Sequence, residues 1–430
     1  MKKIFALVAM VAMNCGIYAQ TGTWSGKLTA NGMSLTIVFN MTCENCTMDS
    51  PDQGVRGIKA ELVTTPEGKI CIEVPKIGAS FEGMLQNGTL TGDFIQHGYR
   101  FPLTLTPGVK KLNRPQTPVG PFPYSTEDVT FRNGDAVLKG TLTMPLHCNK
   151  ATPVVLLVTG SGLQNRDEEI FEHKPFAVIA DAFARAGIAT LRYDDRGFGD
   201  STGDIINCTT EDLKNDVLAG VKFLRERFDR VGVAGHSEGG TIAIMLAAEK
   251  ATDFIVTLAG GVVPMKQTLL YQNEYELGKL RFSKEDVRSY CDALGLAFDA
   301  IAKGKLPPSI DDSTLPESLK QNYKAAVMQC NTRYMRYFLG LDVRTLLRHI
   351  DCPVLALNGR LDRQVDSKAN LGELKRSLKE QNATIVEMEN VNHMFQHCKT
   401  GDTSEYKEIE ETFAPEALEK MASWILKLGF

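Results

Sequence analysis

The sequence predicts an α/β fold: a doubly wound, mostly parallel sheet with a helical cap insertion, preceded by a small all-β domain. From residue 126 onwards, short and almost wholly apolar runs alternate with segments of helical spacing. This alternation is typical of parallel strands covered by helices on both faces. The predicted strands are residues 154–158, 188–193, 231–234, 254–258, 354–357 and 384–388, and the predicted helices are 175–186, 211–228 and 241–249.

The first part of the chain has a different pattern. Residues 20–112 contain apolar or β-branched runs broken by Gly, Asn and Asp, which predicts a small β-sandwich or barrel. The clearest of these runs are 24–28, 34–40, 69–73 and 89–95. Residues 113–125 are rich in proline, which stiffens and extends a chain, so this segment is predicted to link the β domain to residues 126–430.

The N-terminus has the order of a secretory signal. Lys2 and Lys3 precede an apolar run over residues 4–13, and Ala19 ends a stretch of small and polar residues. We expect a signal peptide over residues 1–19 and an exported protein, periplasmic or secreted. A lipid anchor at Cys15 is the less favoured alternative, because Asn14 stands where such signals usually have a small residue.

Composition excludes several classes of function. With 43% hydrophobic residues, the chain can build a large core. Its formal net charge is −4, and its sequence contains no basic run that would bind nucleic acid. After the signal, no apolar stretch is long enough to span a membrane. The pair Cys43 and Cys46 is weak evidence for zinc, and a local disulfide or two thiols is the favoured interpretation. No metal or organic cofactor is predicted, and the sequence indicates no oligomeric state.

Residues 265–349 interrupt the alternation of strands and helices with amphipathic, charged segments. An insertion between two strands of a wound sheet lies at one end of that sheet, and ligands bind at the carboxyl ends of such strands. We therefore predict a cap over the site. Aromatic residues such as Tyr334, Tyr337 and Phe338 could line its pocket, although most are expected to pack the insertion against the rest of the domain.

The strongest chemical signal is Gly-His-Ser-Glu-Gly-Gly at residues 235–240. It matches G-x-S-x-G between a predicted strand and a predicted helix, the context in which this motif exposes a nucleophilic serine. Ser237 is the predicted nucleophile.

A nucleophilic serine needs a base and an orienting carboxylate, which follow it in this order in such folds: serine, acid, histidine. Of the downstream histidines, His393 comes directly after a predicted strand, whereas His349 precedes one and His397 suits the surface. In the loop after strand 354–357, Asp362 is the predicted acid, and Asp366 better suits the start of a helix.

The oxyanion formed in acyl transfer needs two hydrogen-bond donors. One is the backbone N–H of Glu238. The other is expected from the loop after strand 154–158, from the N–H of Ser161 or of Gly162, with Ser161 favoured.

Together these motifs resemble the α/β-hydrolase superfamily, and in particular exported bacterial carboxylesterases that carry a small β domain before the hydrolase domain. The resemblance covers residues 126–430. It rests on five stretches, at 160–168, 192–201, 235–240, 357–365 and 392–401. Thr159 departs from the usual histidine of the superfamily, which leaves the backbone donors untouched, and the resemblance implies a bracing role for residues 195–197.

The resemblance implies a serine esterase that cleaves a small-molecule carboxylic ester through an acyl-enzyme. Relatives of the same fold are aminopeptidases, and Asp167 or Glu168 could bind a substrate ammonium group. Against this alternative, the Gly-Gly-Pro-Gly loop of prolyl iminopeptidases is replaced by Gly-Ser-Gly-Leu at 160–163. An alternative of another class is a catalytically inactive binding protein, for example one that binds carbohydrate through the β domain around Trp24.

Overall fold

The computed structural model describes residues 21–30, 33–42, 45–64, 69–96, 98–109, 112–280, 282–309 and 315–429. The predicted signal peptide, Cys15 and Cys43 lie outside these residues. The chain divides into two compact units. The first runs to Asn113 and includes Glu169–Glu172, and the second comprises Arg114–Glu168 and the residues from His173 onwards.

The first unit is a closed barrel of eight strands, each paired antiparallel to the next. Side chains of alternate residues point inwards, as in Lys69–Val74, where every second residue is buried. Phe81 and Phe94 face each other across one pair and lie in the barrel core. The strands are β1 (Gly22–Ala30), β2 (Met33–Met41), β3 (Cys46–Ser50), β4 (Val55–Thr64), β5 (Lys69–Val74), β6 (Ala79–Gln86), β7 (Thr89–Gln96) and β8 (Tyr99–Pro107).

The second unit is built on an eight-stranded sheet of order β16-β15-β14-β13-β11-β12-β10-β9. Strands β11 to β16 run parallel, while β9 and β10 form an antiparallel hairpin beside β12. These strands are β9 (Tyr124–Asn133), β10 (Ala136–Pro145), β11 (Val154–Val158), β12 (Ala189–Tyr193), β13 (Val231–His236), β14 (Phe254–Leu258), β15 (Val354–Gly359) and β16 (Ala383–Met388).

Helices cover both faces of this sheet, which confirms the doubly wound α/β prediction. The helices are α1 (Pro175–Ala186), α2 (Thr210–Arg225), α3 (Glu238–Ala248), α4 (Met265–Gly278), α5 (Lys284–Ala302), α6 (Glu317–Cys330), α7 (Arg333–Gly340), α8 (Ser367–Ser377) and α9 (Pro415–Lys427). On one face, α2, α3 and α8 contribute to one apolar core, and on the other face α1 and α9 contribute to a second. The five residues of β11 are all buried, because both faces of this central strand are covered.

The proline-rich segment is anchored within the second unit. The Arg114 guanidinium donates to the carbonyls of Lys407 and Ile409, and the Gln116 side chain donates to the carbonyl of Phe413. The first residues of the predicted linker after Asn113 are therefore held to the second unit, whereas residues 119–123 are exposed.

Helices α4 to α7 form the insertion between β14 and β15. They have an apolar core of their own, which includes Tyr290, Leu294, Phe298 and Leu319. In the part of the chain that the structure describes, no helix combines the length and apolar character that a membrane span requires.

Candidate active site

The carboxyl ends of four parallel strands lie at one edge of the sheet, and the loops that follow them carry the residues predicted from the sequence. The loop after β11 carries Ser161, the turn after β13 carries Ser237, and the loops after β15 and β16 carry Asp362 and His393. This edge is where open α/β sheets bind ligands.

Ser237 lies on a strained turn between β13 and α3. Its φ is +53° and its ψ −115°, a backbone conformation that costs free energy in a residue with a Cβ. The turn leaves no room for neighbouring side chains. A Cβ on Gly235 would lie 2.0 Å from the carbonyl oxygen of Gly239, and one on Gly239 would lie 2.2 Å from that of Val158. The glycines of the motif are thus required by the close approach of backbone to backbone.

Asp362 and His393 are hydrogen-bonded to each other. Nδ1 of His393 lies 2.8 Å from Oδ2 of Asp362, and both side chains are buried. The Asn358 amide donates to the same oxygen at 3.0 Å, and the N–H groups of Gln364 and Val365 donate to Oδ1 at 2.8 Å. These donors hold the carboxylate against the imidazole.

The other candidates in these loops have different roles. Asp366 is the N-cap of α8, where its carboxylate accepts from the N–H of Lys368. His397 is exposed and pairs with Glu411 and Glu416 at the surface, and His349 is exposed at the end of a short 3-10 helix. Only His393 among the downstream histidines is therefore placed beside Asp362.

His236, the residue before Ser237, connects three loops of this edge. Its Nδ1 lies 2.8 Å from the Glu168 carboxylate, and its Nε2 lies 3.0 Å from the carbonyl oxygen of His393. The rings of His236 and His393 are 4.6 Å apart. The same Glu168 oxygen accepts from the N–H of Gly160 at 2.8 Å.

Both ring nitrogens of His236 face acceptors, so the geometry favours the doubly protonated imidazolium. Burial alone would lower the pKa of His236, but the Glu168 carboxylate and the His393 carbonyl raise it above its ordinary value. The sequence motifs assigned no role to His236 and suggested Glu168 as an ammonium ligand. A histidine at a tight turn after a buried strand needs hydrogen-bond partners, so the sequence did indicate that His236 would be paired.

The loop after β11 lies against Ser237. A Cβ on Gly160 would lie 3.2 Å from Cβ of Ser237. Because the N–H of Gly160 is bonded to Glu168, the next N–H groups in this loop belong to Ser161 and Gly162. Across from them, Glu238 begins α3, and the first N–H groups of a helix have no acceptor within it.

Residues 195 and 196 brace this loop and its surroundings. The Asp195 carboxylate accepts from the Thr159 hydroxyl at 2.9 Å and from the N–H of Gln164 at 2.8 Å, while Arg196 forms a buried ion pair with Asp216 at 2.6 Å. Burial raises the pKa of Asp195 well above its usual range. The geometry agrees with the bracing role that the resemblance implied.

The insertion contacts this edge through tyrosine hydroxyls. Tyr334 donates to the Glu238 carboxylate, Tyr337 donates to Glu211 at 2.8 Å, and Tyr271 donates to the carbonyl of Asp362 at 3.0 Å. Phe338 is buried. The expectation that most of these rings fasten the insertion to the rest of the domain agrees with the contact of Tyr337.

Together, the wound sheet, its cap and the serine on a strained strand–helix turn define an α/β-hydrolase. The family described as "Serine aminopeptidase, S33" matches residues 172–397, just over half of the chain. The chain belongs to this family.

Known relatives include esterases. The chain is 27% identical to esterase EstD from Thermotoga maritima over 278 residues, which is 64% of this chain and 61% of that protein. The match therefore spans less than two thirds of the relative's length. Among solved structures, the esterase Pf2001 from Pyrococcus furiosus is 18% identical, with a TM-score of 0.46 over 74% of this chain and 99% of that one. Est1E from Butyrivibrio proteoclasticus is 17% identical, with a TM-score of 0.41 over 70% and 98%.

Proposed function

We propose that this chain hydrolyses carboxylic esters, with Ser237 as nucleophile, His393 as general base and Asp362 as the carboxylate that orients it. The observation that carries the proposal is the buried hydrogen bond between Asp362 and His393, at the same sheet edge that presents Ser237 on its strained turn. Acyl transfer by a serine requires a histidine base oriented by a carboxylate, and the contact between Asp362 and His393 supports this assignment.

In the proposed mechanism, Nε2 of His393 accepts the hydroxyl proton as Ser237 attacks the ester carbonyl. Asp362 holds the Nδ1–H and stabilises the imidazolium. The tetrahedral oxyanion accepts from the N–H groups of Glu238 and Ser161, each of which lowers the barrier by about 3 kcal/mol. The alcohol leaves with the proton from His393, and water activated by the same imidazole then cleaves the acyl-enzyme. These groups supply nucleophile, base and oxyanion donors, so the proposed reaction needs no metal or organic cofactor.

The acidic side chains near the site support an ester substrate over a peptide with a free amino group. Asp167 is paired with Arg192 and Lys174, and Glu168 accepts from His236 and Gly160. Both carboxylates considered as ammonium ligands are thus engaged by the protein itself. The name of the relative EstD also favours an esterase, whereas the name of the family favours an aminopeptidase.

Labelling with a fluorophosphonate tests whether the serine is activated. Such probes phosphonylate serines that are deprotonated by a neighbouring base, so the wild-type chain should be labelled and the Ser237→Ala variant should not. Lack of labelling in the wild-type chain would favour the inactive binding protein.

Kinetics with two substrate series test the class of bond. We expect kcat/KM for short-chain p-nitrophenyl esters to exceed that for aminoacyl p-nitroanilides by at least about 100-fold. A preference for anilides with a free α-amino group would replace the esterase with the aminopeptidase, while leaving the assignment of Ser237 in place.

We also propose that the protein is exported. We expect the mature protein to begin at Gln20, since the predicted signal peptide covers residues 1–19. The mass of the protein secreted by a host with the same signal machinery measures this. A mature chain that begins at Cys15 with an added lipid would establish the anchor instead.

A further inference from the structure

The carboxyl group of Glu238 is buried directly after the nucleophile, with 2% of the residue exposed. The proposed mechanism uses only the backbone N–H of this residue. A buried carboxyl group is costly unless donors surround it. Hydrogen-bond donors must therefore stabilise this carboxyl group in its position beside the proposed oxyanion site.

Two hydroxyls from separate segments donate to this carboxyl group. Thr210, at the start of α2, donates to Oε1 at 2.7 Å. Tyr334, on helix α7 of the insertion, donates to Oε2. Burial raises the pKa of Glu238, and the hydrogen bonds from Tyr334 and Thr210 act in the opposite direction.

Tyr334 acts as a donor in this contact. Burial, together with the neighbouring Glu238, raises the pKa of Tyr334 well above its usual range, so the phenol keeps its proton. A neutral hydroxyl that donates to a buried carboxyl group forms a strong hydrogen bond, since little water competes for either partner.

The Ser161 side chain lies close enough to the Glu238 carboxyl group and to the Tyr334 hydroxyl to lower the pKa of each. The two residues that supply the proposed oxyanion donors are therefore neighbours. A displacement of the Glu238 carboxyl group would move the start of α3 relative to Ser161 and change the spacing of the two donors, and transition-state stabilisation depends steeply on that spacing.

We propose that Tyr334 is a positioning residue for the oxyanion hole. From the helical insertion, its hydroxyl holds Glu238 in place relative to Ser161. This inference rests on the proposed function and deepens it: the insertion then contributes to the rate of acyl transfer as well as covering the site.

Helix α7 offers a matched control. Tyr337 lies one turn after Tyr334, and its hydroxyl also donates to a carboxylate, that of Glu211 on α2, which is paired with Lys214. Tyr337→Phe removes the same chemical group from the same helix without touching Glu238.

The test compares steady-state kinetics on p-nitrophenyl acetate. We expect Tyr334→Phe to lower kcat by about tenfold with KM within about twofold of wild type, because an interaction made in the transition state is weakened. Tyr337→Phe should keep kcat within about twofold. A trifluoromethyl ketone, whose adduct with serine places an oxyanion in the same hole, should bind Tyr334→Phe more weakly by the factor that kcat loses.

Melting temperatures and a second variant resolve the remaining outcomes. If Tyr334→Phe loses kcat and also melts early, Glu238→Gln decides, since it keeps the tyrosine and weakens the same contact: an equal loss of kcat supports the inference, and an unchanged kcat overturns it. Equal effects of Tyr334→Phe and Tyr337→Phe on kcat, or no effect of Tyr334→Phe, also overturn it. Failure of the esterase proposal is separate, because it shows as a wild-type chain that is not labelled by the fluorophosphonate.

Discussion

The sheet edge and the helical insertion contribute to the candidate site in different ways. At the edge, Ser237, Asp362 and His393 each follow the end of a parallel strand, and the backbone fixes where each side chain can lie. The insertion packs around its own core and contacts the edge through single side chains, such as the hydroxyls of Tyr271 and Tyr334 and the amide of Gln272.

This difference determines what each region can be expected to control. Groups fixed by strand ends and tight turns are held by many covalent and hydrogen-bonded constraints, so they suit the chemical step. Groups that arrive on an inserted helix depend on a few side-chain contacts and can shift in position. Mutations at the edge should therefore change the rate by orders of magnitude, and those in the insertion by much smaller factors.

The largest effect is expected at the proposed nucleophile and its proposed base. Ser237→Ala and His393→Ala should each lower kcat by about 10⁶-fold, and the double variant should be no worse than either, because the two residues act as a unit. Hydrolysis of p-nitrophenyl acetate measures this. Substantial activity in Ser237→Ala would show that another group is the nucleophile.

The two aspartates of the loop after β15 give a smaller but sharper contrast. Asp362→Asn should lower kcat by about 10⁴-fold, since an amide no longer holds His393 in the required tautomer. Asp366→Asn should keep kcat near wild type, because Asp366 caps α8 and Asn caps helices equally well. A comparable loss in both variants would mean that the loop as a whole, and not the contact with His393, sets the rate.

Much of the sheet could be predicted because its strands are short, apolar and buried on both faces. The predicted bounds of β11 and β14 agree with the structure, and those of β12, β13, β15 and β16 differ by one or two residues. Helix α3 begins at Glu238, three residues before the predicted start, because the helix follows directly from the serine turn.

The barrel was harder to read. Four of its strands, β3, β4, β6 and β8, were not predicted. Each has one face away from the core, so polar residues, glycines or prolines interrupt its apolar pattern, as Pro102 does in β8.

Side-chain partners outside the catalytic motifs, such as those of Glu238 and His236, could not be predicted from the sequence. Glu238 and Tyr334 are 96 residues apart, and His236 and Glu168 are 68 apart. Periodicity indicates which face of an element is buried, but pairing of two distant polar groups depends on the tertiary fold.

A smaller effect, on the free energy of unfolding, is expected for the buried pair of His236 and Glu168. This effect depends on pH. Because the folded-state pKa of His236 is raised above 6.5, the pair stabilises the fold fully below that pH, and this stabilisation is lost as pH rises through the raised value. Without Glu168, burial would dominate and lower the pKa. The free energy of unfolding of Glu168→Gln should therefore fall furthest below wild type in acid, with the gap shrinking towards alkaline pH.

Urea denaturation at about pH 5.5 and about pH 9 measures this gap. Glu411→Gln is the control, since it removes a carboxylate from the exposed His397, where water and salt screen the interaction. A gap for Glu168→Gln that widens with rising pH would show that His236 is neutral in the folded protein. The groups that face His236 are Glu168, the carbonyl of His393 and the more distant charge of Asp362.

The smallest effect separates the stability of the insertion from its contact with the site. Ser283 caps α5, where its hydroxyl accepts from the N–H of Asp286 at 3.0 Å. Ser283→Ala should cost about 1 kcal/mol locally, so amides of residues 284–302 should exchange about fivefold faster while kcat stays within about twofold of wild type. Hydrogen exchange followed by mass spectrometry, with kinetics on the same sample, measures both. If kcat instead fell as far as it does in Tyr334→Phe, the folding equilibrium of the insertion, and not a single hydroxyl, would control the oxyanion donors. The edge and the insertion would then act as one cooperative structure, because loosening a helix that makes none of the contacts to Glu238 would be enough to slow the reaction.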